Sequence, residues 1–448
     1  MAAHESFAFG TGQELLDKAR ELGVDLPYSD DISPLFMKAV VAGRTLANRL
    51  AVLPMEAADG EADGAPTPLT ARRYERYAAG GASLIWFEAT AVTPEGRSNP
   101  HQLMITAETK PAFKRLVSRV RKAARAAGRD PLLILQLTHS GRFSKPEGIP
   151  QPVITQRSPF LDGLHSLPGN YPLLDDGSLQ DIQDRYLSAA RIAREAGFDG
   201  VDVKACHGYL VSELLASFTR RDSRYGGSLA NRSRYLLETL ARIRNESPGL
   251  VLTSRLSAYD SIPSPFGFGV DEDDPGREDL TEPIAVVRRL IESGVSLLSF
   301  SAGIPAYKPW YGRPFDKPVP GGALPDEHPL EGTARLLRIA GRLQKEFPEL
   351  AVIGTGMSWL RQFFPPVAAA AVDAGMMTIV GQGRGSFAYP DWPADLARDG
   401  TLAPDRVCTT CSLCSKHLRE GKPVRCLVYD NRLPSSKALG TGRRTGKV

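Results

Sequence analysis

A chain of 448 residues, 42% hydrophobic and 24% charged, can bury a large core, and its length fits either two domains or one α/β barrel with additions. A formal net charge of +4 is too small to mark a nucleic-acid or membrane-surface binder, so a small-molecule substrate is the expected partner. The N-terminus, MAAHESFAFG, lacks the basic and apolar regions of an export signal, and no apolar run approaches the roughly 18 residues of a membrane span. A reducing cytoplasm is the expected compartment.

Residues 1–30 combine a short helical pattern, Gln13 to Leu22, with Gly and Pro, and read as an extension. Over 31–395, eight short apolar runs have strand character: Leu50 to Pro54, Ser83 to Glu88, Leu132 to Gln136, Gly200 to Val203, Val251 to Arg255, Leu297 to Ser301, Ala351 to Gly354, and Thr378 to Gly381. Between them lie helical segments at Thr70 to Ala79, Pro111 to Ala127, Asp181 to Ala196, Leu229 to Asn245, Pro283 to Ser293, Glu331 to Glu346, and Leu360 to Ala374. Gly128, Gly197, Gly294 and Gly375 stand where helix C-terminal caps are expected. Strand–helix alternation predicts a parallel sheet. Eight such units predict a closed (β/α)8 TIM barrel, an α/β fold, rather than an open sheet.

Several loops that follow the strands are long and rich in Pro, Gly and aromatics. The one from Ala302 to Leu330 carries Tyr307, Trp310 and Tyr311. Barrel enzymes do their chemistry on the face these loops form. Residues 396–448 break the alternation and read as a cysteine-rich, cluster-binding extension of the barrel. They end in a basic tail (Lys437, Arg443, Arg444, Lys447) expected to be solvated and mobile.

The strand ends hold the chemistry. Gly354-Thr355-Gly356 and Gly381 to Arg384 close the last two strands. Glycines let backbone amides approach an anion, and arginine grips phosphate through two donors. Ordinary tight turns are the plain alternative. Gln136 and Arg255 end two other strands, where an amide and a fixed cation could hold a polar heterocycle. The plain alternative is an internal salt bridge of Arg255 with Asp202 or Glu88. Lys204, His207 and Tyr209 follow the fourth strand and form a candidate active site. Their plain readings are a Lys204 ion pair with Asp202 or Glu213, a core histidine and a packed tyrosine. Cys408, Cys411, Cys414 and Cys426 form a C-x2-C-x2-C-x11-C set, which suits an iron–sulfur cubane, with a tetrathiolate zinc as the competitor. Cys206 stands apart and reads as a small buried residue.

The stretches NRLAVLPM, GGASLIWFEATAVTPEGR, QLTHSGR, GFDGVDVKACHGYL, RYGGSLANRSRYLLE and VGQGR occur in the order, and with the character, of the old yellow enzyme family of FMN-dependent oxidoreductases. The resemblance runs from about Leu35 to Pro393. It implies FMN contacts from Leu53, Pro54, Met55, Glu56, Ala89, Gln136, Arg255, Gly354, Thr355, Gly356, Gly383 and Arg384, with Arg255 at the pyrimidine end stabilising the reduced anion. It also implies that Tyr209 donates a proton while Lys204 and His207 polarise the substrate oxygen. Two positions depart from the family pattern. Glu56 replaces a usual Thr or Cys, and Lys204 replaces the first residue of a His–His or His–Asn pair.

The cysteine layout resembles the branch containing 2,4-dienoyl-CoA reductase and trimethylamine dehydrogenase, in which a 4Fe–4S cluster follows the barrel. This sequence lacks that branch's further dinucleotide-binding domains. Either a separate electron-transfer protein or NAD(P)H acting at the barrel mouth is therefore expected to exchange electrons with it. The activity expected first is reduction of a C=C bond conjugated to a carbonyl or carboxylate. The second is an amine or C–C dehydrogenase with Tyr307, Trp310 and Tyr311 as an aromatic pocket. The third is a non-redox barrel with structural zinc.

Overall fold

The computed structural model describes residues 3–430. A two-stranded hairpin, β1 (Ala39–Val41) and β2 (Arg44–Leu46), precedes the barrel. Eight parallel strands follow: β3 (Leu50–Val52), β4 (Leu84–Ala91), β5 (Leu132–Thr138), β6 (Gly200–Val203), β7 (Val251–Tyr259), β8 (Leu297–Ala302), β9 (Ala351–Gly354) and β10 (Ile379–Gln382). Each pairs with its sequence neighbour, and β10 closes on β3 with Val380 opposite Leu50. The eight apolar runs are the eight staves of a (β/α)8 barrel. They read as continuous apolar runs because both faces are covered, as in all-parallel sheets.

Alternate residues divide the core in two. Trp86, Ile134, Leu297, Ile353 and Ile379 point inward, and Val41 and Leu46 of the hairpin close the bottom of that interior. Ile85, Phe87, Leu133, Leu135 and Val201 point outward against the helices. Helices at Pro68–Ala79, Lys110–Ala126, Asp176–Ala196, Leu229–Glu246, Thr281–Glu292, Pro329–Glu346 and Phe364–Asp373 supply the outer layer. Gly197 caps the third of these at φ 98°, where a side chain would be strained. The hairpin and a six-residue helix, Leu210–Leu215, are too short to show a period in the sequence.

The N-terminal extension lies on the barrel. Its helix, Gly12–Glu21, starts with a Thr11/Glu14 capping box and buries Leu15 and Ala19. Phe7 and Phe9 pack edge-on against Trp359. Past β10 the chain adds short helices at Trp392–Asp399 and Leu413–Arg419. Among the described residues, no helix is long and apolar enough to cross a membrane. The tail residues Lys437, Arg443, Arg444 and Lys447 lie outside the described residues.

Gly200 shows how tightly the staves pack. A β-carbon there would lie 2.4 Å from the Val251 carbonyl oxygen and 2.6 Å from Ile134 Cδ1. Gly200→Ala is expected to lower unfolding free energy by about 1–3 kcal/mol, the range for an overpacked core. Urea unfolding measures this, and an unchanged midpoint would contradict the packing described.

Candidate active site

A single carboxylate organises the barrel's mouth. Asp202, fully buried on β6, accepts from Gln136 Nε2 at 2.5 Å and Trp86 Nε1 at 3.0 Å through Oδ2, and from the Arg255 backbone N–H at 2.8 Å through Oδ1. These donors come from β5, β4 and β7. Burial pushes Asp202 up to about 6, while the three donors and the Arg255 charge pull the other way. Holding Gln136 by its NH2 end leaves its carbonyl oxygen to accept from a ligand. The Arg255 guanidinium forms no salt bridge with Asp202 or Glu88 among the described residues, and its buried Nε is unpartnered. Glu88 instead holds Arg73, the Tyr74 hydroxyl and the Ala57 N–H.

Beyond β6 the chain turns sharply and gathers the three predicted groups. Lys204 Nζ sits 3.6 Å from the centroid of the Tyr209 ring, a cation–π contact, rather than in an ion pair with Asp202 or Glu213. Glu213 is engaged by Arg142 Nε at 2.6 Å and by Thr155. Burial depresses the Lys204 pKa, opposed chiefly by Cys206 and Glu56. His207 takes a left-handed φ of 68° and places Nε2 2.9 Å from Ser301 Oγ. Burial, then the charges of Arg255 and Lys204, hold its pKa far below the usual value, so its imidazole is neutral. Burial likewise raises the Tyr209 phenol well above its ordinary pKa, with Glu56 and Cys206 adding to this and Ser140 and Ser98 opposing. Cys206 itself is fully buried.

An apolar wall stands beside these groups. Leu161, Ile262 and Ile304 pack with Phe143, Phe160, Phe266 and Tyr307, and Phe143 lies 6.1 Å from the Tyr209 ring. Only one of the three loop aromatics joins this wall. Tyr311 turns away to Tyr259, with Arg335 above its ring, and Trp310 packs on the outer core. The expected three-aromatic pocket is therefore corrected to Tyr307 alone. An aromatic residue in a loop shows no direction in sequence, and helix Pro329–Glu346, through Arg335, gave Tyr311 a buried place.

Glu56 is also buried and points into a polar loop that follows β4. It accepts from Ser98 Oγ, from Asn99 Nδ2 at 2.7 Å and from Gln102 Nε2 at 3.4 Å. The Ala89 carbonyl accepts from the same Gln102 nitrogen at 3.1 Å. Burial raises the Glu56 pKa against the pull of Lys204, Ser98, Asn99 and Arg97. Ser98, Asn99, Gln102 and Ser301 escaped the sequence reading. For Ser98, Asn99 and Gln102 the available signal was the polar stretch RSNPHQ in the loop after β4.

At the opposite rim, β3 and β10 lie side by side. Leu53 N–H donates to the Gln382 carbonyl at 3.0 Å, Pro54 is buried, and the Met55 side chain turns toward the cysteine segment. A β-carbon at Gly381 would meet Leu53 at 2.6 Å, and one at Gly383 would meet Met55 at 3.0 Å. Gly354 and Gly356 are similarly pressed by Met377 and Leu336, and Thr355 Oγ1 donates to the Phe300 carbonyl at 3.2 Å. Arg384 is half-buried, as is Arg313 from the loop after β8, and the Nε of each is buried and unpartnered. Arg313 also donates to Ser415 and Ser412. Guanidinium groups with an unpartnered Nε beside a glycine-lined cradle suit a phosphate. With the Gln136 carbonyl and Arg255 across the mouth, the donor set fits FMN.

All four clustered cysteines interact with this corner. Arg384 is influenced by Cys414, Cys408 and Cys411, and Cys426 by Cys411 and Cys414. Burial pushes the Cys408 thiol up to about 12. Among the described residues, no group of three or more His, Cys, Asp or Glu side chains is positioned to hold a metal ion. Four thiols beside two cations have the donor chemistry and compensating charge that an anionic iron–sulfur cluster needs.

The model of the NADH:flavin oxidoreductase / NADH oxidase family matches residues 34–269. An NADPH dehydrogenase of Halalkalibacterium halodurans is 32% identical over 283 residues, covering 62% of this chain and 76% of the relative. An NADH oxidase of Thermoanaerobacter brockii is 28% identical over 385 residues, and the match spans 85% of this chain but 53% of that longer protein. Among solved structures, a 2-naphthoyl-CoA reductase in complex with 2-naphthoyl-CoA superposes with a TM-score of 0.71 at 21% identity, covering 89% of this chain and 57% of that one.

The raised pKa of Asp202 has a thermodynamic signature. Between the ordinary aspartate value of about 3.9 and about 6, the folded protein binds a proton there that the unfolded chain does not. This group's contribution to stability therefore rises as pH falls through that window. Comparing urea unfolding of the wild type and Asp202→Asn across it should show the difference shifting toward the wild type, by up to about 1.4 kcal/mol per pH unit. A constant difference would contradict the shift.

Proposed function

The chain belongs to the NADH:flavin oxidoreductase / NADH oxidase family and is an FMN-dependent oxidoreductase, and on that premise we propose that it reduces a C=C bond conjugated to a carbonyl or carboxylate. The observation that carries this reading is the grouping of Lys204, neutral His207 and Tyr209 at one end of an apolar wall. An apolar substrate with one polar oxygen matches that division. Lys204 and His207 hold the oxygen and draw electron density toward it, which makes the far carbon electrophilic. Tyr209 gives its proton to the carbon next to the carbonyl. Phe143, Phe160 and Tyr307 exclude water from the reacting atoms. Leu53 to Glu56, Ala89, Gln136, Arg255, Gly354 to Gly356, Gly383 and Arg384 hold FMN, which supplies the hydride and is recharged by NAD(P)H.

Cys408, Cys411, Cys414 and Cys426 hold a 4Fe–4S cluster in this proposal, within a module formed by residues 396–448. Their C-x2-C-x2-C-x11-C spacing supports it, together with the influence of Cys408, Cys411 and Cys414 on the Arg384 cation. Such a cluster, when bound, would let electrons pass between the flavin and a separate electron-transfer protein, as the alternative to direct recharging by NAD(P)H.

Full-length protein loaded with FMN should oxidise NADPH in the presence of cyclic enones and enoates, beginning with 2-cyclohexenone. Tyr209→Phe should lower that turnover by about 10²–10⁴, the usual worth of a positioned proton donor, and leave flavin reduction by NADPH unchanged. No turnover across the panel, or a Tyr209→Phe rate equal to wild type, would refute the reading. Protein purified anaerobically should carry about four irons and matching sulfide per chain. Zinc without iron would replace the relay with a structural site.

A further inference from the structure

We infer that Phe160 is a specificity-determining residue, the centre of an aromatic arch that spans the end of β6 and limits how far a substrate extends beyond its double bond. The inference rests on the reading of the mouth as an enone site and narrows the substrate class within it. Phe160 comes from the loop after β5. Its ring meets Phe266, from the loop after β7, at 5.9 Å and Tyr307, from the loop after β8, at 6.2 Å, both edge to face. In the barrel β6 lies between β5 and β7. Rings from the flanking loops therefore meet across the end of the strand that leads into Lys204, His207 and Tyr209.

The arch stands on the catalytic turn. Phe143 and Ile304 pack in the same apolar cluster as the three rings. A β-carbon on Gly208, between His207 and Tyr209, would lie 3.1 Å from Phe143 Cε2 and 3.1 Å from Ile304 Cδ1. Phe160, Phe266 and Tyr307 are each half-buried, so the arch keeps apolar surface uncovered. A carbonyl compound seated at Lys204 and His207 meets that surface with the end remote from its oxygen.

The arch is braced rather than hinged. Asp162, two residues past Phe160, accepts from Arg142 at 2.5 Å, from Arg157 Nε at 2.6 Å and from the Ser158 N–H at 3.1 Å. Arg142 is fully buried and also holds Glu213. The loop that bears Phe266 is pinched at its base. There Asp260 accepts from the Phe268 N–H at 3.0 Å and from Ser257 Oγ at 2.6 Å, and its own N–H donates to the Phe268 carbonyl at 2.9 Å. Breaking buried hydrogen bonds to a charged group is costly, so the rings hold their places when a substrate arrives. A group too long for the space is rejected by overlap, since a packed apolar wall does not yield freely. An aromatic cluster that only stabilised its loops would bear on unfolding, and not on which of two enones is preferred.

The test uses FMN-loaded full-length protein and NADPH with three enones that share a carbonyl and double bond and differ beyond it: 3-penten-2-one, 4-phenyl-3-buten-2-one and 4-(2-naphthyl)-3-buten-2-one. In Phe160→Ala the ratio of kcat/KM for the naphthyl compound to that for 3-penten-2-one should rise by about tenfold or more over wild type, with the phenyl compound between. Phe266→Ala, which removes a neighbouring ring from a different loop, should move the ratio in the same direction and carries the test if Phe160→Ala does not fold. Calorimetric titration with the saturated ketone 4-(2-naphthyl)-2-butanone should show tighter binding to both variants than to wild type. Ratios that stay the same or fall, or a saturated ketone bound no more tightly, would overturn the arch as a size limit and leave the enone reading standing. No turnover of any of the three enones or of 2-cyclohexenone, by wild type or variants, would overturn the enone reading and this inference together.

Discussion

The mouth of this barrel depends on one buried carboxylate. Asp202 collects donors from three neighbouring strands while sitting on a fourth, so it ties β4 through β7 together at the level where the cofactor face begins. Burying an ionised carboxyl costs free energy unless its oxygens are satisfied, and three well-placed N–H groups offset much of that cost. The same contacts orient Gln136 and set the backbone from which Arg255 projects.

A second buried network does comparable work for the segment after β3. Glu88 on β4 accepts the Ala57 N–H, the Tyr74 hydroxyl and Arg73, and Arg73 also reaches Asp59. That pins residues 55–59 across the top of the strand. Met55 then faces the cysteines on one side, while Glu56 faces Lys204 and the 97–102 loop on the other. Removing one partner from such a network strands an unpaired buried charge, which costs far more than an exposed ion pair contributes.

The barrel was legible because its signals are local. Each stave is an apolar run flanked by turn residues, and the long helices carry a 3.6-residue period, several of them with a glycine at or just past the C-terminal end. The strand-end residues Gln136, Lys204, His207, Tyr209 and Arg255 were legible for a related reason, since the fold fixes where strand ends lie. Ser98, Asn99 and Gln102 were not, because a polar loop residue gains its role only from what it meets across space. Arg313 stayed hidden likewise, 71 positions before its neighbour Arg384 in the numbering of the chain. Trp310 and Tyr311 misled because composition identifies an aromatic loop without saying which way each ring turns.

The seam between β10 and β3 joins residues at opposite ends of the barrel sequence, with Gln382 opposite Val52. Pairings of such long range are slow to form, since the loop entropy must be lost before the contact forms. During synthesis β3 emerges early and waits with one edge unpaired until β10 leaves the ribosome. The glycine-lined cradle is built from both sides of that seam, Leu53 and Met55 on one and Gly381 to Arg384 on the other. A flavin held there binds the closed barrel and not the open one, so it draws the equilibrium toward closure by mass action. If FMN is held there, its supply would bear on how much of the newly made chain survives as folded protein, as well as on how much of it is active.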